Sequence, residues 1–419
     1  MERGTEPVRL GIAGLGGYAE SIRRGMLELW PDGRGPLKLD AVCEPDQARH
    51  AELIADLRAR GVHVSDNFGT MLKQDIEAAW LPVPIHLHRP FTEQALATGK
   101  AVMCEKPAAG SVDDLDAMIA ARDRAKLPAT IGFQQAYLPE TIESKRQLLE
   151  GRIGQVRSAT VFACWPRDDN YFGRNNWAGK LRGPDGSWVL DSPANNALAH
   201  CVHLAMFLLG AEPYQSAVPT SVEAELYRAR PIENYDTGAM RVHLRGADGR
   251  EVTFLSLLTH ACLRLVNPYI TVQGERGSLV VGFDKLEWRS LSGEVVESVP
   301  MRDADVRMPM MERFANLVRG VSDGRGVGTM EMARSHVVAI NGASQACPVR
   351  DVPASAIHVA KGSAEAHLNV HVITGIEDAL AQCARTGQLP HESGLLPWTA
   401  PAGRLDLAGY RHFAGPARE

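Results

Sequence analysis

The sequence predicts an α/β chain in two parts. A doubly wound parallel-sheet domain over residues 1–132 precedes an α+β domain over 133–346 with a large, mostly antiparallel open sheet. Three observations predict this. A glycine-rich turn follows the first apolar run, apolar strands alternate with helical stretches as far as residue 104, and short alternating strands broken by turns begin near residue 221. A C-terminal extension, 347–419, follows, with a strand over Val370 to Thr374, a helix over Gly375 to Thr386 and an irregular stretch from Trp398 to Phe413.

Val8 to Ala13 is a β-favouring run that ends in Gly14-Leu15-Gly16-Gly17-Tyr18-Ala19. Gly14-x-Gly16-x-x-Ala19 fits the G-x-G-x-x-G/A fingerprint of a dinucleotide-binding (Rossmann) domain. Residues without a bulky Cβ let the backbone approach a diphosphate. The helix expected from Tyr18 turns its positive end and free N–H groups toward that anion. Leu37 to Cys43 predicts the second strand, ending in Glu44. A carboxylate there accepts hydrogen bonds from the adenosine ribose and repels a 2′-phosphate, so NAD is expected and NADP disfavoured. Glu44 lies further from the glycines than the usual spacing of about 20 residues. A long first helix and the loop 31–36 account for the excess.

The next elements follow in short order: a helix over 46–60, a strand over Val62 to Ser65 and a small helix over Gly69 to Leu72. A strand over Ala78 to Val83 is closed by Pro84, a helix runs from His88 to Thr98, and Ala101 to Cys104 is strand again. This alternation is the pattern of a parallel sheet covered by helices on both faces.

The last of these strands runs into Glu105-Lys106-Pro107. With Gly99-Lys100 before it, the stretch resembles the G-K-x-V-x-x-E-K-P signature of the glucose-fructose oxidoreductase / inositol dehydrogenase / rhizopine catabolism family. Pro84-Ile85-His86-Leu87-His88 is similar to that family's P-N-x-x-H turn, with Ile85 in place of asparagine. Gly132-Phe133-Gln134-Gln135-Ala136-Tyr137-Leu138-Pro139 resembles its G-[YF]-x-x-R-[FY]-x-P, with Ala136 in place of arginine. The resemblance runs from residue 8 to about 345. It implies that Gly14, Gly16, Gly17, Tyr18, Glu44, Pro84, His88, Glu105, Lys106 and Gln134 meet the cofactor.

Lys106 is an ammonium at the carboxyl end of a parallel strand, where doubly wound sheets place their ligand crevice. Such a group can hydrogen-bond a substrate hydroxyl and favour the developing alkoxide. From Asn195 the apolar spacing predicts one helix to Gly210, with Asn196 and His200, four apart, on one face. The family carries D-x-x-x-H here, with histidine as proton acceptor, and the resemblance assigns that role to His200 rather than His203. Asn196 stands where the family has aspartate; Asp191 and the Ser192-Pro193 turn are candidates to supply the missing charge. Trp165 to Lys180 mixes aromatic and polar side chains that suit sugar faces and hydroxyls, Trp177 among them. Its basic residues Arg167, Arg174 and Lys180, with Arg182 just beyond, offer partners to a carboxylate or phosphate.

The expected activity is hydride transfer between NAD and a secondary alcohol of a sugar, polyol or inositol-like substrate, with Lys106, His200, Asn196, Asp191 and Trp177 on the substrate. Two alternatives stand beside it: a redox-neutral glycoside hydrolase or epimerase-type enzyme with tightly held NAD, and a non-catalytic NAD-dependent sensor. Beyond Gly210, strands are expected over Ser221 to Tyr227, Thr237 to Leu244, Val252 to Leu258, Tyr269 to Gln273 and Ser278 to Val281, with turns at Gly246-Ala247-Asp248-Gly249 and Gly274-Glu275-Arg276-Gly277. Met310 to Arg319 and Gly328 to Ala346 read as helices. The resemblance implies a homodimer or homotetramer through this sheet.

A net charge of −5 with scattered basic residues argues against nucleic acid. No apolar run reaches the ~18 residues of a membrane span, and no His/Cys/Asp cluster has metal-site spacing. Seven cysteines without C-x-x-C spacing read as reduced thiols of a cytoplasmic protein.

Overall fold

A computed structural model describes residues 6–30, 35–246, 249, 251–301, 306–322, 326, 328–361 and 369–418. The expected loop 31–36 and the turn 246–249 lie partly outside these residues. The chain forms two compact units, Met1–Ala109 with Asp114–Pro139 and Asp303–Glu331, and Gly110–Asp113 with Glu140–Arg302 and Met332–Glu419.

The first unit begins with β1 (Val8–Ala13), α1 (Tyr18–Leu29), β2 (Leu37–Cys43), α2 (Ala51–Ala59), β3 (His63–Ser65) and α3 (Phe68–Leu72). It continues through β4 (Ala78–Leu81), α4 (His88–Ala97), β5 (Ala101–Cys104), α5 (Val112–Ala125) and β6 (Ala129–Ile131). The strands pair in the order β3-β2-β1-β4-β5-β6, all parallel. Buried on both faces, β4 and β5 are unbroken apolar runs, Ala78-Ala79-Trp80-Leu81 and Ala101-Val102-Met103-Cys104. Order reverses between β1 and β4, which makes the carboxyl ends of these strands the ligand crevice of such a sheet. The helix expected over 46–60 begins only at Ala51, because the chain first turns around Glu44, whose carboxylate holds the Asp46 N–H at 2.9 Å.

The second unit starts with α6 (Pro139–Leu149), β7 (Val156–Cys164), α7 (Asp169–Gly173) and α8 (Ala199–Leu208). Then come β8 (Val218–Arg228), β9 (Thr237–Arg245), β10 (Glu251–Thr259), β11 (Val266–Gly274), β12 (Ser278–Val281), β13 (Lys285–Arg289) and β14 (Val295–Pro300). After α9 (Met308–Val318), which belongs to the first unit, follow α10 (Met330–Ala346), β15 (Val349–Asp351), the hairpin β16 (Ile357–Lys361)–β17 (Asn369–Ile373), α11 (Ile376–Thr386), α12 (Pro390–Ser393) and β18 (Gly403–Asp406).

The large sheet has the order β14-β13-β12-β11-β7-β10-β9-β8-β15, with β18 also paired to β8. It is mostly antiparallel; β7–β10 and β8–β15 are the parallel pairs. The strand β7 sits in mid-sheet, yet no strand was expected there, nor at β13 and β14. The stretch from Trp398 onward contributes β18 to the same sheet.

Successive residues of a strand face opposite ways. On one face Phe162, Cys164, Leu255 and Leu257 form a core with Ile376, Ala379, Leu380 and Cys383 of α11. On the other, Val161, Ala163, Phe254 and Leu258 are also buried. The chain's own extension therefore covers the apolar middle of one sheet face. Toward the opposite end of the same strands that face carries polar, half-buried residues, Ser158, Thr160, His243, Thr253, Thr271 and Gln273.

The single helix expected over 195–210 is broken. Pro193–Ala197 forms a wide turn in which Leu198 N donates to Pro193 O five residues back, at 2.9 Å. Leu198 leaves helical geometry (φ −112°, ψ 12°), and α8 restarts at Ala199. Asn196 therefore belongs to the wide turn and His200 to α8, because Pro193 and the Ser192 cap set the first turn independently.

Candidate active site

In the first unit, Gly14, Glu44, Pro84, Lys106 and Gln134 all lie just beyond the carboxyl ends of parallel strands. Gly14 (φ 96°) and Gly17 (φ 57°) take left-handed backbone that side chains disfavour. Gly17 caps α1 with no side-chain hydrogen bond to the helix, and a Cβ built on it meets nothing within 4 Å. First-turn N–H groups without a side-chain cap, behind a glycine with open space at its Cβ position, fit the diphosphate of a dinucleotide.

Glu44 ties this turn to β2. Its Oε2 accepts the Leu15 N–H and its Oε1 the Asp46 N–H, both at 2.9 Å. His50, absent from the sequence reading, places Nε2 3.9 Å from Glu44 Oε2 and 3.6 Å from where a Gly16 Cβ would sit.

At the end of β5, Glu105 is buried. Trp80 Nε1 donates to its Oε1 at 3.0 Å and the Lys106 N–H to its Oε2 at 3.2 Å. Burial pushes the Glu105 pKa up to about 7, against the pull of the Trp80 hydrogen bond and the Lys106 charge. A Cβ on Gly132 would stand 2.8 Å from Glu105 Oε1, so the glycine of the third motif makes room for this carboxylate. Lys106 itself is half-buried, and its bond to Pro107 is cis. The Tyr18 hydroxyl donates to Gln134 Oε1 at 2.5 Å. Burial, with the Glu105 charge second, holds that hydroxyl's pKa far above its usual value.

His88 is buried, with Nδ1 2.9 Å from Pro107 O and Nε2 2.9 Å from Val83 O. Burial brings its pKa down to about 4, and a neutral ring has one N–H, so one of these contacts is the hydrogen bond. His88 sits between the turn after β4, where Pro84 precedes a short 3-10 turn, and the loop after Lys106, bonded to one and packed against the other. That position suits it to hold the loop and not to touch a ligand. Trp80 was also absent from the sequence reading. The signal was an indole inside a fully apolar strand, which needs a partner for its N–H.

The second unit carries the remaining residues. Asp191 Oδ1 accepts from Asn196 Nδ2 at 2.7 Å, and its Oδ2 from the Gly179 N–H at 2.6 Å. Arg174 Nη2 stands 3.8 Å from Asp191 Oδ1, whose side chain is 3% exposed. Asn196 thus presents an amide fixed by a buried carboxylate, one turn before His200. His200 is half-buried at the start of α8. His203 is buried, and burial together with His336 holds its ring pKa well below the usual value.

The far end of α8 is held by Lys145, fully buried, whose Nζ donates to the carbonyls of Phe207, Gly210 (2.8 Å) and Gln215 (3.1 Å). Trp177 is half-buried, its backbone N–H donating to Asn175 Oδ1 at 3.0 Å and the Arg174 guanidinium 5.3 Å from its ring centroid. Lys106 and His200 belong to different units. Among the described residues no group of His, Cys, Asp and Glu could hold a metal ion, and no helix is long and apolar enough to cross a membrane.

Comparison with known proteins agrees with the fold. A model of the GFO/IDH/MocA oxidoreductase family, NAD-binding Rossmann fold, matches residues 8–133, and one of the GFO/IDH/MocA C-terminal domain matches 142–280. Inositol 2-dehydrogenase 2 of Saccharopolyspora erythraea is 31% identical over 120 residues, 28% of this chain and 35% of that protein. Inositol 2-dehydrogenase of Rhizobium meliloti is 25% identical over 246 residues, 58% of this chain and 67% of its own length. Levoglucosan dehydrogenase of Pseudarthrobacter phenanthrenivorans is 25% identical over 306 residues, covering 66% and 74%. The chain thus spans about a third of the first relative and two thirds or more of the other two.

Among solved structures, an oxidoreductase from Thermotoga maritima shares the fold with a TM-score of 0.65 at 18% identity, covering 80% of this chain and 95% of that one. The WlbA dehydrogenase from Chromobacterium violaceum, solved with NADH and UDP-GlcNAcA, does so with a TM-score of 0.62 at 24% identity, covering 80% and 92%.

Proposed function

The chain belongs to the GFO/IDH/MocA oxidoreductase family, and from that premise we propose that it transfers a hydride between a nicotinamide dinucleotide and a secondary alcohol of a sugar, polyol or inositol-like substrate. The observation that carries this reading is the gathering of the glycine turn, Glu44, Glu105-Lys106 and Gln134 at one edge of a parallel sheet. The relatives' names, for inositol and levoglucosan, support a polyhydroxylated substrate.

In this reading Gly14, Gly16 and Gly17 hold the diphosphate and Glu44 the adenosine ribose. Tyr18, Pro84, Glu105 and Gln134 line the cofactor, with His88 bracing the loop. The Glu44 carboxylate favours NAD over NADP, since a 2′-phosphate beside it meets like charge. When bound, the nicotinamide supplies a two-electron hydride acceptor. His200 is the proton acceptor for the hydroxyl, and Lys106 is the ammonium that hydrogen-bonds a substrate hydroxyl and favours a developing alkoxide. Asn196, held by Asp191, donates to or accepts from a neighbouring hydroxyl, and Trp177 offers an aromatic face to the sugar carbons.

Two further parts belong to the same reading. One is a cytoplasmic location, in keeping with seven free thiols. The other is a homo-oligomer through the second unit's sheet. Because α11 takes the apolar middle of one face, that contact would use the polar rows. A light-scattering mass of a monomer removes the oligomer from the reading.

The test of the activity is a panel of polyols, sugars and glycosides with NAD and NADP, following reduced nicotinamide and product together. We expect reduced cofactor in step with ketone, and for Lys106→Ala the loss of turnover with NAD still bound. Product from a glycoside without net reduced cofactor assigns redox-neutral chemistry instead. Near wild-type turnover in the variant removes Lys106 from the mechanism.

A further inference from the structure

The segment between β7 and α8 gathers two arginines around one tyrosine in the second unit. The Arg167 guanidinium carbon lies 4.7 Å from the Tyr171 ring centroid, and that of Arg174 lies 3.8 Å from it. Arg167 also faces Trp165 at 4.9 Å and Arg174 faces Trp177 at 5.3 Å. Two like charges over one ring repel each other. Carboxylates stand nearby as well. Asp191 stands 3.8 Å from Arg174, with both oxygens already accepting from Asn196 and Gly179. Asp168 caps α7 through the Tyr171 N–H, and Asp169 is paired with Arg230.

Among the described residues Arg167 has no ion pair. Its Nη1 reaches Pro166 O at 3.4 Å, and its buried Nε has no hydrogen-bond partner. A second orphan stands in the same cluster. His260, 2% exposed, packs edge-on to Tyr171 at 5.6 Å and sets Nδ1 2.8 Å from Trp165 O, while its buried Nε2 has no partner. Burial first, and then the charges of Arg167 and Arg174, bring its ring pKa down to about 3. Buried polar atoms are ordinarily satisfied, and two unsatisfied ones beside two guanidinium groups stacked on one ring, one of them without an ion pair, suit an anionic, hydrogen-bonding ligand.

We propose that Arg167 and Arg174 bind the carboxylate of a sugar acid, so that the substrate class is a polyhydroxylated carboxylic acid and not a neutral polyol. The proposal rests on the dehydrogenase reading for the fate of the hydroxyl, and deepens it. A guanidinium fork matches a carboxylate with two parallel hydrogen bonds. The faces of Trp165, Tyr171 and Trp177 suit the C–H face of the sugar. The row Arg174–Asp191–Asn196 joins this cluster to the turn before His200, so carboxylate and hydroxyls would be read along one continuous surface of one unit.

The test is calorimetric binding to the full chain at fixed ionic strength with NAD present, using matched pairs: glucuronate and glucose, galacturonate and galactose, gluconate and glucitol, with inorganic phosphate as a further arm. We expect at least one acid to bind about tenfold or more tighter than its neutral partner, and Arg167→Gln and Arg174→Gln each to bring that ratio within about threefold of unity. Circular-dichroism melts of both variants show whether they fold. Equal binding of acids and neutral partners, no binding of any acid, a ratio that survives both substitutions, or phosphate preferred to every acid overturns the proposal.

Binding is read without turnover, so the two readings fail separately. An acid held through the arginines that yields no reduced nicotinamide counts against the dehydrogenase reading and leaves this one standing. Acids oxidised no better than their neutral partners count against this one alone.

Discussion

Glu44 carries two loads, and one substitution separates them. Its carboxylate accepts the Leu15 N–H inside the glycine turn and the Asp46 N–H, both at 2.9 Å, from a residue only 7% exposed. Hydrogen bonds to a charged group contribute about 1.5–3 kcal/mol each, and two on one group are not additive. Glu44→Gln keeps the length but sets an amide N–H against one of these donors, for an expected loss of about 2–4 kcal/mol. In a domain of this size that lowers Tm by roughly 5–15 °C.

The second load is electrostatic. A carboxylate about 4–5 Å from a 2′-phosphate at an effective dielectric near 20 costs about 3–4 kcal/mol per unit charge, a discrimination of about 100-fold or more. In Glu44→Gln the preference for NADH over NADPH should therefore fall to about tenfold or less, while NADH itself weakens by about tenfold through the lost charged acceptor. Nicotinamide fluorescence titrations measure both constants, and differential scanning fluorimetry the stability. A variant that melts lower yet keeps the wild-type cofactor ratio refutes the ribose role and leaves Glu44 as a clasp on the turn.

Two further predictions concern buried charges. Glu105 titrates near about 7 in the folded chain and near 4.5 when free, so between those values the folded state holds a proton that the unfolded chain has released. The Glu105 contribution to stability should fall as pH rises across that window, by up to about 3 kcal/mol, and level off above it, against the opposite slope from the buried neutral rings of His88 and His260. In urea melts the stability difference between wild type and Glu105→Gln should carry that slope, and equal slopes in both proteins would place the ionisation elsewhere. Lys145→Met leaves the carbonyls of Phe207, Gly210 and Gln215 without their donor and should cost about 3–5 kcal/mol in denaturant unfolding. A loss below about 1 kcal/mol would mean that the C-terminus of α8 does not depend on this ammonium.

What could be read in the sequence follows from where the determining contacts lie. The first unit was legible because its parallel strands are buried on both faces, so β4 and β5 announce themselves as unbroken apolar runs next to glycine and proline stops. The strand β7 was not read. Its register is set by β10 and β11, roughly a hundred residues later, and no local turn marks its partner. The edge strand β14 is exposed along its length and its neighbour β13 carries three charged residues in five, which hides the alternation a half-buried strand would show.

At the site, residue types were readable and their mutual contacts were not. Glu105 could be named from its motif, but its clasp by Trp80 depends on strand order. The break at Leu198 needs the Pro193 turn to pair five residues ahead, which a helical wheel does not represent. The Asp191–Asn196 hydrogen bond, anticipated only as a way to replace a missing charge, required the backbone from Gly179 to fold over it.

The central claim is hydride transfer from a carbinol carbon with release of the reduced cofactor. The most direct measurement uses substrate deuterated at that carbon and follows the label by mass spectrometry in both nicotinamide and product. The account predicts one deuterium in free reduced nicotinamide for each ketone formed. Product carrying the label back at carbon, or cofactor recovered oxidised and without deuterium, would contradict it.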